Sequence, residues 1–240
     1  MKVKLIGADQ KYLEIELEPN EDFYAEKGAM FYCDPNIEFE VKRQNSIIKS
    51  KISGESMFIC RWYNPSNISG KLCIVGQYNS LLPIKIKQDD DLIIRCGEYV
   101  ASNNKVEITS YTSFKKIISG VGLVFQKVRG ESTIFIDDFS NTQVKQLTVG
   151  ETIIVDENHI LGFLNINNNN IKPIRDTKNI IAGEGLSILS ITGPGTVFIS
   201  PTALTSSENR SPVGCVIGFL YVLIIYAIIF GVVYLLEFVF

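Results

Sequence analysis

Apolar and polar residues alternate along most of this chain with the two-residue period of a β-strand. Leu13, Ile15 and Leu17 fall on one face and Glu14, Glu16 and Glu18 on the other, while Val3 and Leu5 begin the same pattern ahead of Gly7-Ala8-Asp9. Because successive side chains of a strand point to opposite sides, this spacing predicts a half-buried strand pair joined at that turn. Pro19-Asn20-Glu21-Asp22 predicts the next turn, and Phe23-Tyr24-Ala25 a further strand ending near Lys27-Gly28. The same order returns as Ile84-Lys85-Ile86-Lys87, the acidic turn Asp89-Asp90-Asp91 and Leu92-Ile93-Ile94. It returns again as Val144-Lys145-Gln146-Leu147, Gly150-Glu151 and Thr152-Ile153-Ile154-Val155.

A glycine-led unit alternates with this one. Gly120-Val121-Gly122-Leu123 runs through Gly130 to Asp137, and Gly183-Glu184-Gly185-Leu186 runs through Gly193 and Gly195 to Ser200, sharing Thr133/Thr196, Phe135/Phe198 and Ile136/Ile199. A fainter first copy starts at Gly54-Glu55-Ser56 and reaches Gly70, its connection lengthened by Tyr63 to Ile68. In each copy a glycine opens an apolar strand and a later one turns the chain into a β-branched and aromatic strand, the pattern of a β-hairpin or β-arch. The glycines at 54, 70, 120, 122, 130, 183, 185, 193 and 195 are therefore read as structural: Gly54, Gly70, Gly120, Gly122, Gly130, Gly183, Gly185, Gly193 and Gly195. Gly-x-Gly-Leu lacks the third glycine, the lysine and the following helix of a phosphate cradle.

Three rounds of two alternating units, between positions 13 and 200, predict an all-β, barrel-like roll of three pseudo-symmetric repeats. The domain expectation is a β-roll over 1–204, a linker over 205–212 and a transmembrane helix over 213–236. No charge interrupts Val213 to Leu236, about 36 Å of helix at about 1.5 Å per residue, against a hydrocarbon layer of about 30 Å. The start, Met1-Lys2-Val3-Lys4-Leu5-Ile6, has no signal-peptide pattern. With Arg210 before the span and Glu237 after it, the expectation is a single-pass, tail-anchored protein whose N-terminal body is cytoplasmic. Gly214 with Gly218, and Ala227 with Gly231, have the small-x-x-x-small spacing that lets helices associate.

Composition narrows the chemistry. The cysteines at 33, 60, 73, 96 and 215 are odd in number and unpaired in spacing, as in a reducing compartment. A lone His159 cannot supply the imidazole cluster of common metal sites, so no metal and no cofactor is expected. A net charge of −3 argues against nucleic acid, although Lys115-Lys116, Lys127 and Arg129 could form a local basic stripe.

Gly183-Glu184-Gly185-Leu186 with Gly193-Pro194-Gly195-Thr196-Val197-Phe198, preceded by Gly120-Val121-Gly122-Leu123 and Gly28-Ala29-Met30, resembles the altered-inheritance-of-mitochondria protein 24 family over roughly residues 10 to 202. The resemblance implies a β-roll of three structural repeats around a pseudo-threefold axis, similar to the tryptophan RNA-binding attenuation protein. It also implies a role in inner-membrane organisation for the mitochondrial member, and no established catalytic residues. Ser56, standing where later copies have Gly122 and Gly185, and the C-terminal apolar run depart from the family pattern.

The functional expectation is a non-enzymatic, membrane-tethered scaffold or interaction protein, with protein partners or further copies of itself and with the membrane itself through the C-terminal helix. Two alternatives stand beside it. A carboxylate-dependent enzyme would use Asp89, Asp90 and Asp91 or Asp137 and Asp138, although the first three sit at a turn position that is acidic in every repeat. An RNA- or ligand-binding roll would stack bases on Trp62 and Tyr63 beside Arg61. Cys60, Cys73 and Cys96, without a histidine nearby, are read as core.

Overall fold

Short apolar-polar alternation punctuated by acidic turns produces strands throughout the computed structural model, which describes residues 1–43, 58–78, 80–111, 125–138, 141–174 and 188–203. Strand β1 (Lys2–Ile6) precedes three rounds of six strands. The first repeat holds β2 (Tyr12–Leu17), β3 (Asp22–Glu26), β4 (Met30–Cys33), β5 (Glu38–Arg43), β6 (Phe58–Tyr63) and β7 (Gly70–Ile74). The second holds β8 (Ser80–Ile86), β9 (Leu92–Arg95), β10 (Tyr99–Ser102), β11 (Glu107–Tyr111), β12 (Phe125–Arg129) and β13 (Ser132–Asp138). The third holds β14 (Gln143–Leu147), β15 (Thr152–Asp156), β16 (Ile160–Leu164), β17 (Ile171–Ile174), β18 (Ile188–Thr192) and β19 (Gly195–Ile199).

Pairing is the same in every repeat. The sixth strand lies between the first and third, as β2-β7-β4, β8-β13-β10 and β14-β19-β16. The fifth lies between the second and fourth, as β3-β6-β5, β9-β12-β11 and β15-β18-β17. Repeats are then stitched by pairing the second strand of one with the third strand of the next, β3 with β10 and β9 with β16, which gives two six-stranded sheets.

Each repeat turns from its first to its second strand with the same device. Glu21, Asp90 and Glu151 each accept a hydrogen bond from the backbone N–H three residues earlier, Glu18, Lys87 and Thr148, at 2.9, 2.8 and 2.9 Å. A short acidic side chain at this place satisfies a turn donor that would otherwise need water, which explains why it is acidic in all three copies. The returning hairpin between fifth and sixth strands is tight in the second and third repeats, through Gly130 at φ 122° and through Gly193-Pro194 into Gly195 at φ 140°. In the first repeat it is the longer segment expected from the sequence. Buried Asn64 organises it, donating to the carbonyls of Leu17 at 2.9 Å and Ile68 at 2.7 Å.

Alternation then fills the interior. In β2, Leu13, Ile15 and Leu17 are buried and pack with Phe23, Trp62 and Leu72, joined from the second repeat by Leu81, Val100 and Phe135. The third repeat packs Phe163, Ile191 and Val197 with Ile93 and Phe125 of the second. Such burial stabilises by roughly 25 cal/mol per Å² of apolar surface, so each stitched junction is also a shared core.

The expected transmembrane helix is not carried further. Among the described residues no helix is long and apolar enough to cross a membrane. The expected span over 213–236, with Gly214, Gly218, Ala227 and Gly231, lies outside the described residues, within the second of the two units into which the chain divides, Met1–Thr205 and Ser206–Phe240. An uncharged run satisfies the length condition for a span without establishing the helix that must carry it, so the tail anchor has no helix behind it among the described residues. The glycine openings at Gly54, Gly120, Gly122, Gly183 and Gly185, and Lys115-Lys116, are also outside the described residues.

Candidate functional site

The three repeats align strand by strand from their pairing, and the third strand shows where their surroundings part. The third strand carries a β-bulge in every copy, between Met30 and Tyr32, Tyr99 and Ala101, and Ile160 and Gly162. Phe31, Val100 and Leu161 are thus the same position, yet Phe31 is 58% exposed while Val100 is 2% and Leu161 0%. The cause is the missing neighbour: β10 lies between β3 and β13, and β16 between β9 and β19, whereas among the described residues β4 has only β7 beside it. The matching half-junction is β15, which among the described residues has only β18 beside it and exposes Ile154 at 67%, where its counterpart Ile93 is 3% exposed.

Aromatic side chains crowd the bare edge of β4. The Phe31 ring stands edge-on to Tyr32 at 5.3 Å and to Tyr12 at 5.7 Å, with Met30 also exposed. The hydrogen bond that Tyr32 shares with the buried Cys73 thiol, reinforced by nearby negative groups, pushes the phenol up to about 12 and keeps it neutral. A neutral, apolar, rigid surface of this kind is inexpensive to desolvate.

A second feature is buried. Arg95 ends β9, Glu98 precedes β10, Asp137 lies near the end of β13 and Glu157 follows β15, all four buried. Burial lowers Arg95 despite the attraction of Glu98 and Glu157. Glu98 is pushed up to about 8, first by burial and then by Asp137, with Arg95 opposing. Asp137 is pushed up to about 6 by burial, although it accepts backbone N–H groups of Gln77 at 3.2 Å and Tyr78 at 3.4 Å. Asp138 is buried as well and accepts the Thr142 hydroxyl at 2.5 Å. Among the described residues no three His, Cys, Asp or Glu side chains are grouped to hold a metal ion.

The family model described as mitochondrial biogenesis AIM24 matches residues 3–202. The chain belongs to the AIM24 family. Its β body is similar to the crystal structure of protein SPYM3_0169 from Streptococcus pyogenes, with a TM-score of 0.64 and 20% identity over 85% of this chain and 94% of that one. A likeness at that identity speaks for the fold alone. No curated protein matches the chain.

In this AIM24-family body the residues singled out by sequence are distributed rather than gathered. Asp90 and Asp91 anchor turns and junctions: Asp91 pairs with Lys127 at 2.5 Å and Arg129 at 3.0 Å, so these two cations are engaged with one carboxylate instead of forming an open stripe. Trp62 is buried beneath Phe39 at 4.9 Å. Its neighbours are engaged too, Arg61 with Asp22 at 2.7 Å and Tyr63 with Glu38 at 2.7 Å, so the three make no stacking platform. Cys60 and Cys73 are buried, and burial pushes both thiols up. The asparagine-rich segment from Asn165 to Asn170 has a structural task, since Asn165 bonds to Asp90 and Asp91 of the preceding repeat.

Sequence reasoning overlooked the β4 edge and the Arg95–Glu98 pair. Both left a signal. Phe31-Tyr32 occupies the place of Val100-Ala101 and Leu161-Gly162, and Arg95 interrupts an apolar run at a position where the other repeats have Glu26 and Asp156.

Proposed function

We propose that this AIM24-family chain is a non-enzymatic interaction or scaffold protein whose working surface is the β4 edge. One observation carries this reading: Phe31 is 58% exposed where the same position in the other repeats is fully covered by a paired strand. An edge strand offers unpaired backbone groups, and neighbouring aromatic side chains supply apolar area, which together fit an added extended segment of a protein partner. The chemistry elsewhere supports the same reading. The turn carboxylates are spent on backbone N–H groups, and Asp137 is spent on the segment at Gln77 and Tyr78.

The test is a photo-crosslinking residue at Phe31 in the full-length protein, compared with one at Val149, which is more exposed but lies in a turn. Discrete protein adducts of reproducible mass from position 31, absent at 149, are expected. Equal, diffuse labelling at both positions removes the reading.

A further inference from the structure

We propose that a second copy of this chain covers the β4 edge, seating its own β15 there head to tail. This rests on β4 being an interaction edge and names its occupant.

The chain itself shows what covers such an edge. Twice it pairs the second strand of one repeat with the third strand of the next, β3 with β10 and β9 with β16. After those two junctions, the strands of this kind left with one neighbour among the described residues are β4, a third strand, and β15, a second strand. A single copy therefore carries both halves of a third junction at its two ends. A surface made of two unlike complementary halves joins copies in a heterologous contact, which builds a ring or a row rather than a twofold pair.

The edges themselves distinguish these strands from the rest. Proteins commonly guard bare edges with charge or proline, and the other sheet edges follow that practice: Lys4 in β1, Glu40 in β5, Pro83 in β8, Glu107 in β11, Lys145 in β14 and Pro173 in β17. Strand β4, Met30-Phe31-Tyr32-Cys33, has neither, and β15 has only Asp156 at its end. The two unguarded edges are the two that match.

The internal junctions also fix the register. Ala101 stands opposite Ala25 and Ser102 opposite Tyr24; Gly162 stands opposite Ile94 and Phe163 opposite Ile93. Carried over, Tyr32 of one copy faces Val155 of the next, and Cys33 faces Ile154. Tyr32 is the one poor fit, because the corresponding residues are small: a Cβ on Gly162 would stand 2.4 Å from the Ile93 carbonyl oxygen. The tyrosine ring must turn away when β15 arrives, which weakens the contact and leaves it reversible.

Two measurements on the purified full-length protein test this. Ile154→Cys places a thiol opposite native Cys33, within the reach of a disulfide across paired strands. Under mild oxidation, with isotopically labelled and unlabelled copies mixed, we expect a ladder of linked species whose 33–154 peptides are partly mixed-label, and its loss when Cys33→Ser is added. Crosslinks confined to one chain, or none while the wild type sediments as a monomer, overturn the proposal. If position 31 still captures other proteins in that case, the interaction reading stands and only the second copy is removed. If it captures none, both fall. Tyr32→Ala restores the small residue and should lower the dissociation constant about tenfold, equivalent to about 1.4 kcal/mol. Weaker association would mean that the tyrosine is itself the contact, and the register above would be wrong.

Discussion

Asn165 of the third repeat and Asp91 of the second hold one another through two hydrogen bonds. The Asp91 N–H donates to Asn165 Oδ1 at 2.9 Å, and the Asn165 N–H donates to the Asp91 carbonyl at 3.0 Å. Asn165 also donates from Nδ2 to Asp90 at 2.8 Å, and its backbone sits at φ 58°, a conformation asparagine tolerates better than most residues. Asn165→Gly keeps that conformation accessible and removes the side-chain bonds, so it should cost about 1–2 kcal/mol. Asn165→Ala should cost about 1 kcal/mol more, through left-handed strain. Urea unfolding of both variants separates the contributions; equal losses would assign the whole effect to the side chain.

Phe31, Val100 and Leu161 offer one structural position in three environments. Leu161 is fully buried between paired strands, so Leu161→Ala should cost about 2–5 kcal/mol. Phe31→Ala removes a larger side chain yet should change stability by no more than about 0.5 kcal/mol in dilute protein. Thermal or urea unfolding at low concentration checks this. A loss at Phe31 comparable to that at Leu161 would mean that the edge is covered within the chain.

Much of this architecture is legible before any coordinates, because its punctuation is forced by local chemistry. Glu21, Asp90 and Glu151 recur since a turn donor needs an acceptor three residues on, and each tight hairpin takes a glycine at positive φ, Gly130 in the second repeat and Gly195, two positions further along, in the third. What alternation cannot supply is the identity of a strand's neighbours. Met30 to Cys33 reads like any short apolar strand, and only alignment with Tyr99 to Ser102 and Ile160 to Phe163 shows larger side chains where a partner strand would need small ones. Arg95 and Glu98 are hidden for a related reason: their proximity to Asp137 and Glu157 arises from strand pairing within the second repeat and from its junction with the third, relations that no local window contains. The apolar run after Val213 shows the converse limit, since its length and lack of charge are properties of composition alone and no helix among the described residues answers to them.

The buried acids make stability depend on pH in a direction opposite to that of the turn acids. Glu98 is raised from the ordinary 4.5 to about 8 and Asp137 from 3.8 to about 6, so in these windows the folded state binds more protons than the unfolded one. Stability should therefore fall as pH rises, by about 1.4 kcal/mol per pH unit for one such proton. Asp90, lowered by its bond from Asn165, and Glu151, lowered by the Thr148 N–H, act the other way: their contribution is present above the unfolded carboxylate range and is lost in acid. The maximum should lie near the ordinary carboxylate range rather than at neutrality. Glu98→Gln should flatten the descent between pH 6 and 8, as followed by urea midpoints across that range. An unchanged slope would place the titrating proton elsewhere.

Gly162 tests whether the internal junction is as close as its register implies. A Cβ there would meet the Ile93 carbonyl oxygen at 2.4 Å and the Ile94 side chain at 3.0 Å, and the carbonyl belongs to the backbone of the paired strand, which cannot yield without breaking the ladder. Gly162→Ala should therefore destabilise by about 1–3 kcal/mol through overpacking, even though alanine is ordinarily no worse than glycine in a strand. Ala101, at the same position of the second repeat, already carries a Cβ and is fully buried, so Ala101→Gly should cost only the loss of one methyl group, about 1 kcal/mol. Hydrogen exchange of the β9 and β16 amides reports the same event locally: in Gly162→Ala their protection should drop together, while the amides pairing β3 with β10 keep theirs. Uniform loss across both junctions would show that the repeats unfold as one unit, and that closeness at Gly162 is not what holds the third repeat to the second.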